Sequence, residues 1–327
     1  MLNSRFLQKT NSKNEQILIR YKTYGNPEGI PVLYLHGGPG AGFNDNITKF
    51  FNLEKYFLVS FDQRGCGFST PSAINTSDIT DNSTWDLVED INDLLNVLKI
   101  DKFVLFGGSW GSTLALVYAI QNSHRILKLV LRGVYLCRSE DIDFLYEGGT
   151  KNNFPEVYAK YSSFIKDNYP DVLDKNKDKD HPYLHTYYQI LGSQDQSSVE
   201  EAAKTFAYHE SFIASNSYQE SNLEDDIKFA VLETHYFVNR CFLETDNYIL
   251  ENAYKIANID TYIVHGRNDS VCKPSSAFDL SLAIGSKARL YITNGYHSGY
   301  DFYNKEKTLE IFNQISEDLF GKMPIKQ

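Results

Sequence analysis

Six short runs of β-forming residues, each closing directly on a turn-forming motif, constrain this chain more than any other feature. Residues 32–35 (VLYL) run into HGGPG, 57–61 (FLVSF) into DQRGCG, and 103–106 (FVLF) into GGSWGS. Residues 127–131 lead into Arg132-Gly133, 262–264 into HGRND, and 290–292 into TNGYH. Apolar runs this short and continuous suit strands of a parallel sheet buried on both faces. Helical periodicity lies between several of them, at residues 85–98 (WDLVEDINDLLNVL) and 112–120 (STLALVYAI). Strand alternating with helix implies an α/β fold, a mostly parallel central sheet flanked by helices.

The rhythm stops in the middle of the chain. From residue 139 to 246 only amphipathic stretches occur, among them PEVYAKYSSFIKDNY, PYLHTYYQIL, VEEAAKTFAYHESFIA and IKFAVLETHYFVNRCFL. The expected organisation is therefore an α/β core built from residues 1–138 and 247–327, interrupted by a helical cap at 139–246. A length of 327 residues accommodates that arrangement. Within the cap, the mixed-sign stretch 171–180 (DVLDKNKDKD) reads as a solvated loop.

Charge and cysteine usage narrow the function classes. A net charge of −10 argues against nucleic acid, which rewards basic surfaces. No apolar run approaches the length of a membrane span. The first residues, MLNSRFLQKTNSKNEQ, lack the apolar centre of a secretory signal. Cys66, Cys137, Cys241 and Cys272 show neither a CxxC pair nor metal-ligand spacing, so reduced thiols in a cytoplasmic protein are expected. The oligomeric state stays open.

Gly107-Gly108-Ser109-Trp110-Gly111 fits G-x-S-x-G between a predicted strand and a predicted helix. Such a turn must throw the serine side chain clear of the backbone, and glycines two residues to either side leave the room. Ser109 is the expected nucleophile. A hydroxyl needs a base, and the base needs an orienter. In the chain order Ser, acid, His, the candidates are Asp269 in HGRNDS and His297 in NGYHSG. Both sit just past strand ends, where open α/β sheets place function. The other histidines are worse placed: His36 lies in HGGPG, His124 at a helix end, His265 at a strand end, and four more in the cap. For the oxyanion of the tetrahedral intermediate, the HGGPG turn offers the Gly38 N–H and the residue after the nucleophile offers the Trp110 N–H.

Residues 36–42 (HGGPGAG), 62–69 (DQRGCGFS), 84–91 (TWDLVEDI), 107–116 (GGSWGSTLAL), 129–133 (LVLRG) and 265–272 (HGRNDSVC) together resemble the proline iminopeptidase (prolyl aminopeptidase) family of α/β-hydrolases. The resemblance implies a serine peptidase that releases N-terminal proline from small peptides through an acyl-enzyme, with no cofactor or metal. It also implies that Glu210, closing TFAYHE (205–210), and Glu233, in LETHYFVN (232–239), hold the free amino terminus. An ammonium entering a partly dry pocket needs carboxylate acceptors. By the same resemblance Tyr135, Tyr146 and Phe237 line the pocket for the proline ring. The family commonly carries Phe where Tyr135 stands, and tryptophans where Phe206 and His209 stand. Two other readings remain: a different serine hydrolase, such as an esterase or a broader aminopeptidase, and a non-catalytic binding member of the fold.

Overall fold

A computed structural model describes residues 4–76, 79–217 and 221–320. Eight strands form one sheet: β1 (Arg5–Thr10), β2 (Gln16–Gly25), β3 (Ile30–Leu35), β4 (Tyr56–Phe61), β5 (Phe103–Ser109), β6 (Ile126–Val134), β7 (Thr261–Gly266) and β8 (Ala288–Thr293). Their spatial order is β1-β2-β4-β3-β5-β6-β7-β8. The first two join antiparallel, and every pairing from β4 to β8 is parallel. The expected α/β architecture is present.

Side chains alternate across the sheet, and both faces are covered. On one face Leu33, Val59, Leu105, Leu131 and Ile263 pack among α1 (Thr84–Val97) and α2 (Trp110–Gln121). On the other, Val32, Leu58, Val104, Phe106 and Val264 meet Ile311, Phe312 and Ile315 of the last helix. All seven residues of β5 are buried, which is why its sequence shows no polar alternation. The strands β1 and β2 were not evident from the apolar runs. Ile17, Ile19 and Tyr21 are buried at alternate positions of β2, a period-two signal interrupted by the buried Arg20.

Between β6 and β7, the excursion of residues 139–246 holds six α-helices: α3 (Ser139–Tyr146), α4 (Pro155–Asn168), α5 (Pro170–Asn176), α6 (Pro182–Leu191), α7 (Gln196–Ser215) and α8 (Leu223–Val238). Three of them begin on proline, whose fixed φ and missing N–H suit a first turn. Here one expectation fails: 171–180 is not all loop, because Pro170 starts the short helix α5. The two ends of the excursion lie together, with the Ser139 N–H donating to Asp246 at 2.7 Å. After it come α9 (Tyr248–Asn252), α10 (Pro274–Ile284) and α11 (Phe302–Leu319). The outermost residues, 1–3 and 321–327, lie outside the described residues.

The cysteine expectation also needs correction. Cys66 and Cys272 are free and buried, but Cys137 and Cys241 are bridged, their Cα atoms 6.5 Å apart. They stand 104 residues apart in sequence. Only the return of the chain after α8 brings the second beside the exit of β6, so linear spacing carries no trace of the pair. Among the described residues no helix is long and apolar enough to cross a membrane.

Candidate active site

Ser109 ends β5 and precedes the first residue of α2 with φ 57° and ψ −132°, a strained conformation for a residue with a Cβ. The turn closes because its flanks are glycine. A Cβ on Gly107 would lie 2.1 Å from the Gly111 carbonyl oxygen, and one on Gly111 would lie 2.2 Å from that of Leu35. The elbow is then tied to its surroundings by α2's first turn. Ser112 Oγ donates to the Ser109 carbonyl (2.6 Å) and accepts the Tyr135 N–H (3.0 Å).

His297 reaches the serine from the loop after β8, its Nε2 standing 3.0 Å from Ser109 Oγ. Its Nδ1–H donates to Asp269, 2.8 Å from Oδ2 and 3.0 Å from Oδ1. Asp269 lies in the loop after β7 and also accepts the N–H groups of Val271 (2.9 Å) and Cys272 (2.8 Å). Burial alone would raise its pKa. His297, its hydrogen bond, the nearby His265 and the Cys272 amide outweigh burial and hold the carboxyl below its ordinary range. Three sequence candidates, from three strand ends, thus meet in one hydrogen-bonded chain.

The HGGPG turn lies over the elbow. A Cβ on Gly37 would approach Ser109 Cβ to 3.2 Å, and Gly38 follows with φ +105°, a conformation glycine adopts readily. Gln63, in the loop after β4, ties this turn to Trp110, the neighbour of Ser109. Its side-chain Nε2 donates to the His36 carbonyl at 3.0 Å, and its Oε1 accepts the Trp110 indole N–H at 2.8 Å. Its own backbone N–H donates to His36 Nε2 at 3.1 Å, leaving Nδ1 to carry the proton donated to the Gly37 carbonyl. Burial keeps that imidazole neutral by lowering its pKa.

Across the site, the helices between β6 and β7 contribute acids and aromatic rings. Glu210 comes from α7 and Glu233 from α8, both buried. Tyr146 donates its hydroxyl to Glu210 at 2.7 Å. Both oxygens of Glu233 are buried without a hydrogen-bond partner among the described residues. Burial raises both carboxyls, and the adjacent Glu210 pushes Glu233 further up. Phe237, one turn along α8 from Glu233, packs 5.4 Å from Tyr135 and 5.8 Å from Tyr146 between ring centroids. The three rings named from sequence are therefore one cluster. Phe206 stacks on Tyr146 at 5.1 Å, and His209 on Tyr161 at 4.5 Å. Burial pushes His209 down to about 3, so it is a neutral packing residue.

A cavity of about 910 Å³ connects the elbow, the HGGPG turn and Glu210, lined by Gly37, Gly38, Ser109, Arg132, Glu210 and His297 among others. A larger depression of about 1160 Å³ runs along β8 and α11 and holds none of them. Sequence reasoning passed over Gln63, Arg132 and Cys272 as individual residues, although each lies within a motif quoted above. Cys272 stands beside the triad, with a ligand atom of Asp269, Cys272 and His297 each within 4.8 Å of the others. Both ring nitrogens of His297 are engaged by Ser109 and Asp269, and burial pushes the Cys272 thiol well up, so it stays protonated.

The chain matches the family model described as "alpha/beta hydrolase fold" over residues 30–302. It is 40% identical over 295 residues to the proline iminopeptidase of Xylella fastidiosa (strain 9a5c), covering 87% of this chain and 88% of that one. The proline iminopeptidase of Neisseria gonorrhoeae is 39% identical over 288 residues, with 86% and 87% covered. Among solved structures, an esterase from Exiguobacterium antarcticum superposes with a TM-score of 0.58 at 19% identity, over 96% of this chain and all (100%) of its own. An alpha/beta fold family hydrolase from Bacillus anthracis str. Sterne gives 0.57 at 20% identity, over 96% and 99%. At such identities the two structures speak for the fold alone.

Proposed function

The chain belongs to the α/β-hydrolase family and, within it, to the proline iminopeptidases, and on that footing we propose how its residues release N-terminal proline from short peptides. Ser109 is the nucleophile. His297 takes the hydroxyl proton through Nε2 as Ser109 Oγ bonds to the prolyl carbonyl carbon. Asp269 orients the ring and stabilises the imidazolium that forms. The carbonyl oxygen becomes an oxyanion, which we assign to the backbone N–H groups of Gly38 and Trp110. When the intermediate collapses, the C–N bond breaks and His297 gives its proton to the departing amine. Water, deprotonated by the same imidazole, then cleaves the prolyl ester and restores Ser109.

The observation that carries the substrate assignment is Glu233. Two adjacent buried carboxyls, both raised by burial, are costly to ionise unless a cation arrives. The secondary ammonium of an N-terminal proline supplies the charge and two N–H donors. The ring would lie against Tyr135, Tyr146 and Phe237, and a residue preceding proline would collide with the acids. That is the selectivity of an exopeptidase. We assign residues 139–246 the role of a cap that recognises substrate, and the cytoplasm as the compartment for such small peptides.

A panel of aminoacyl-arylamides tests the assignment. A prolyl-arylamide should be hydrolysed much faster than its alanyl counterpart, and N-acylated proline should be refused. Equal rates for proline and alanine, or turnover of simple esters only, would overturn it in favour of a general hydrolase.

A further inference from the structure

Arg132 is half-buried near the end of β6 and is not used by the chemistry above. It lines the same cavity as Ser109 and His297. One of its five N–H donors is occupied, by Nη1 donating to the His297 carbonyl at 2.7 Å. It forms no salt bridge among the described residues. The ionisable side chains its charge acts on include the Tyr34 and Tyr300 phenols, His265 and the Cys272 thiol, none of them an anion at neutral pH. A half-buried guanidinium facing a substrate cavity, with no carboxylate within salt-bridge distance, is the counterpart of the buried acids: a cation without a paired anion.

Its position fixes which end of a substrate it meets. A Cβ on Gly108, the residue before the nucleophile, would stand 2.5 Å from Arg132 Nη2. One on Gly299, two residues beyond His297, would stand 3.1 Å from Nε. The guanidinium therefore sits beside the residue before the serine and the segment just after the histidine. Its one hydrogen bond is to the backbone of His297, the imidazole that protonates the departing amine, and the rings proposed to hold proline (Tyr135, Tyr146, Phe237) do not line this cavity, which places Arg132 toward the departing amine. One residue of chain spans at most about 3.6 Å, so the carboxylate of a single departing amino acid falls next to the imidazole that protonates its nitrogen.

We propose that Arg132 receives the C-terminal carboxylate of the departing residue, making Pro-Xaa dipeptides with a free C-terminus the preferred substrates. The two ends of a zwitterionic dipeptide then match the two unmatched charges of the site: ammonium to Glu210 and Glu233, carboxylate to Arg132. A guanidinium fork takes a carboxylate through two parallel N–H···O bonds. Longer peptides present a neutral carbonyl at that point and gain less.

This inference rests on the proline aminopeptidase reading, and the test separates the two. Steady-state hydrolysis of Pro-Gly and of Pro-Gly amide is compared in the wild-type protein, Arg132→Gln and Arg132→Lys, with a prolyl-arylamide as the carboxylate-free reference. The wild type should favour Pro-Gly over its amide by about tenfold or more in kcat/KM, the range of a charge-assisted pair. The ratio should fall to near one in Arg132→Gln and be partly kept in Arg132→Lys. Should Arg132 merely brace the His297 loop, Arg132→Gln slows both substrates equally and the ratio stands, which overturns the proposal. A wild-type ratio near one overturns it without any variant. Failure of the wild type on the prolyl-arylamide instead removes the underlying reading, whatever the dipeptide ratio.

Discussion

Asp269 and Glu233 are both buried carboxyls within the same site, and their surroundings drive them in opposite directions. Asp269, on the core, receives the His297 Nδ1–H and two backbone N–H groups, and these outweigh burial. Glu233, on the cap, receives neither an imidazole nor a backbone N–H, and burial with the adjacent Glu210 outweighs the nearby Tyr146 hydroxyl. The core half of the site is complete before substrate arrives, with each polar atom of the triad partnered. The cap half is unfinished. Under the proposed assignment, chemistry is pre-organised at the strand ends, and recognition is left to a ligand that brings the missing charge.

Removing the nucleophile separates the two halves most sharply. Ser109→Ala should lower kcat by about four to six orders of magnitude, as removal of a triad member does. Binding of a proline-amide ligand, measured by calorimetry, should stay within a fewfold of wild type, because the carboxyl pair is untouched. Loss of binding together with turnover would show that the halves are not separable.

The next effect in size comes from the unfinished half. Glu233→Gln should weaken kcat/KM for proline substrates by about 2–5 kcal/mol while leaving fluorophosphonate labelling of Ser109 in place. Its effect on stability should have the opposite sign. In the folded chain Glu233 binds its proton more tightly than in the unfolded one, whose carboxyl titrates near the model value of 4.5. Stability is therefore lost as pH rises from there through the raised folded value. The substitution removes that loss, so the free protein should melt higher at neutral pH. Substrate binding runs the other way: it needs the ionised pair and should strengthen as pH rises. A variant that binds proline normally and melts no higher would erase the contrast with Asp269.

The core half was also the more legible half in the sequence. Ser109, Asp269 and His297 announce themselves through local rules, a glycine-flanked elbow and loops directly after apolar strands, and strand ends meet because the sheet is parallel. The cap obeys no such local rule. Glu210 and Glu233 sit on amphipathic helices where nothing in the periodicity distinguishes a buried acid from a solvated one, and only the family resemblance singled them out. Arg132, Gln63 and the Cys137–Cys241 bridge depend on contacts between segments 27 to 165 residues apart, a distance over which linear patterns carry no information. The hairpin of β1 and β2 was recoverable from the alternation at Ile17, Ile19 and Tyr21, had Arg20 not broken it.

A third buried acid sharpens the comparison with the smallest expected effect. Glu147, also in the cap, is raised to about 8, first by burial. Unlike Glu233 it has donors: Oε1 accepts the Leu184 N–H at 3.1 Å and Oε2 the Tyr183 N–H at 3.3 Å, both in the first turn of α6. Its carboxyl closes a helix end, a structural task that requires no ligand. The sign is again that of a raised acid, so the folded chain loses stability as pH climbs from the model value of 4.5 towards about 8. Glu147→Gln lacks that titration. Between pH 5 and 8.5 its stability relative to wild type should improve by about 1–3 kcal/mol, less than the full shift implies because the side chain keeps some solvent. Denaturant midpoints at the two pH values measure this, and kcat/KM for a prolyl-arylamide should stay within about twofold, an effect below ~0.5 kcal/mol. A catalytic loss approaching that of Glu233→Gln would mean that burial alone, not the absence of donors, marks the acids that hold substrate.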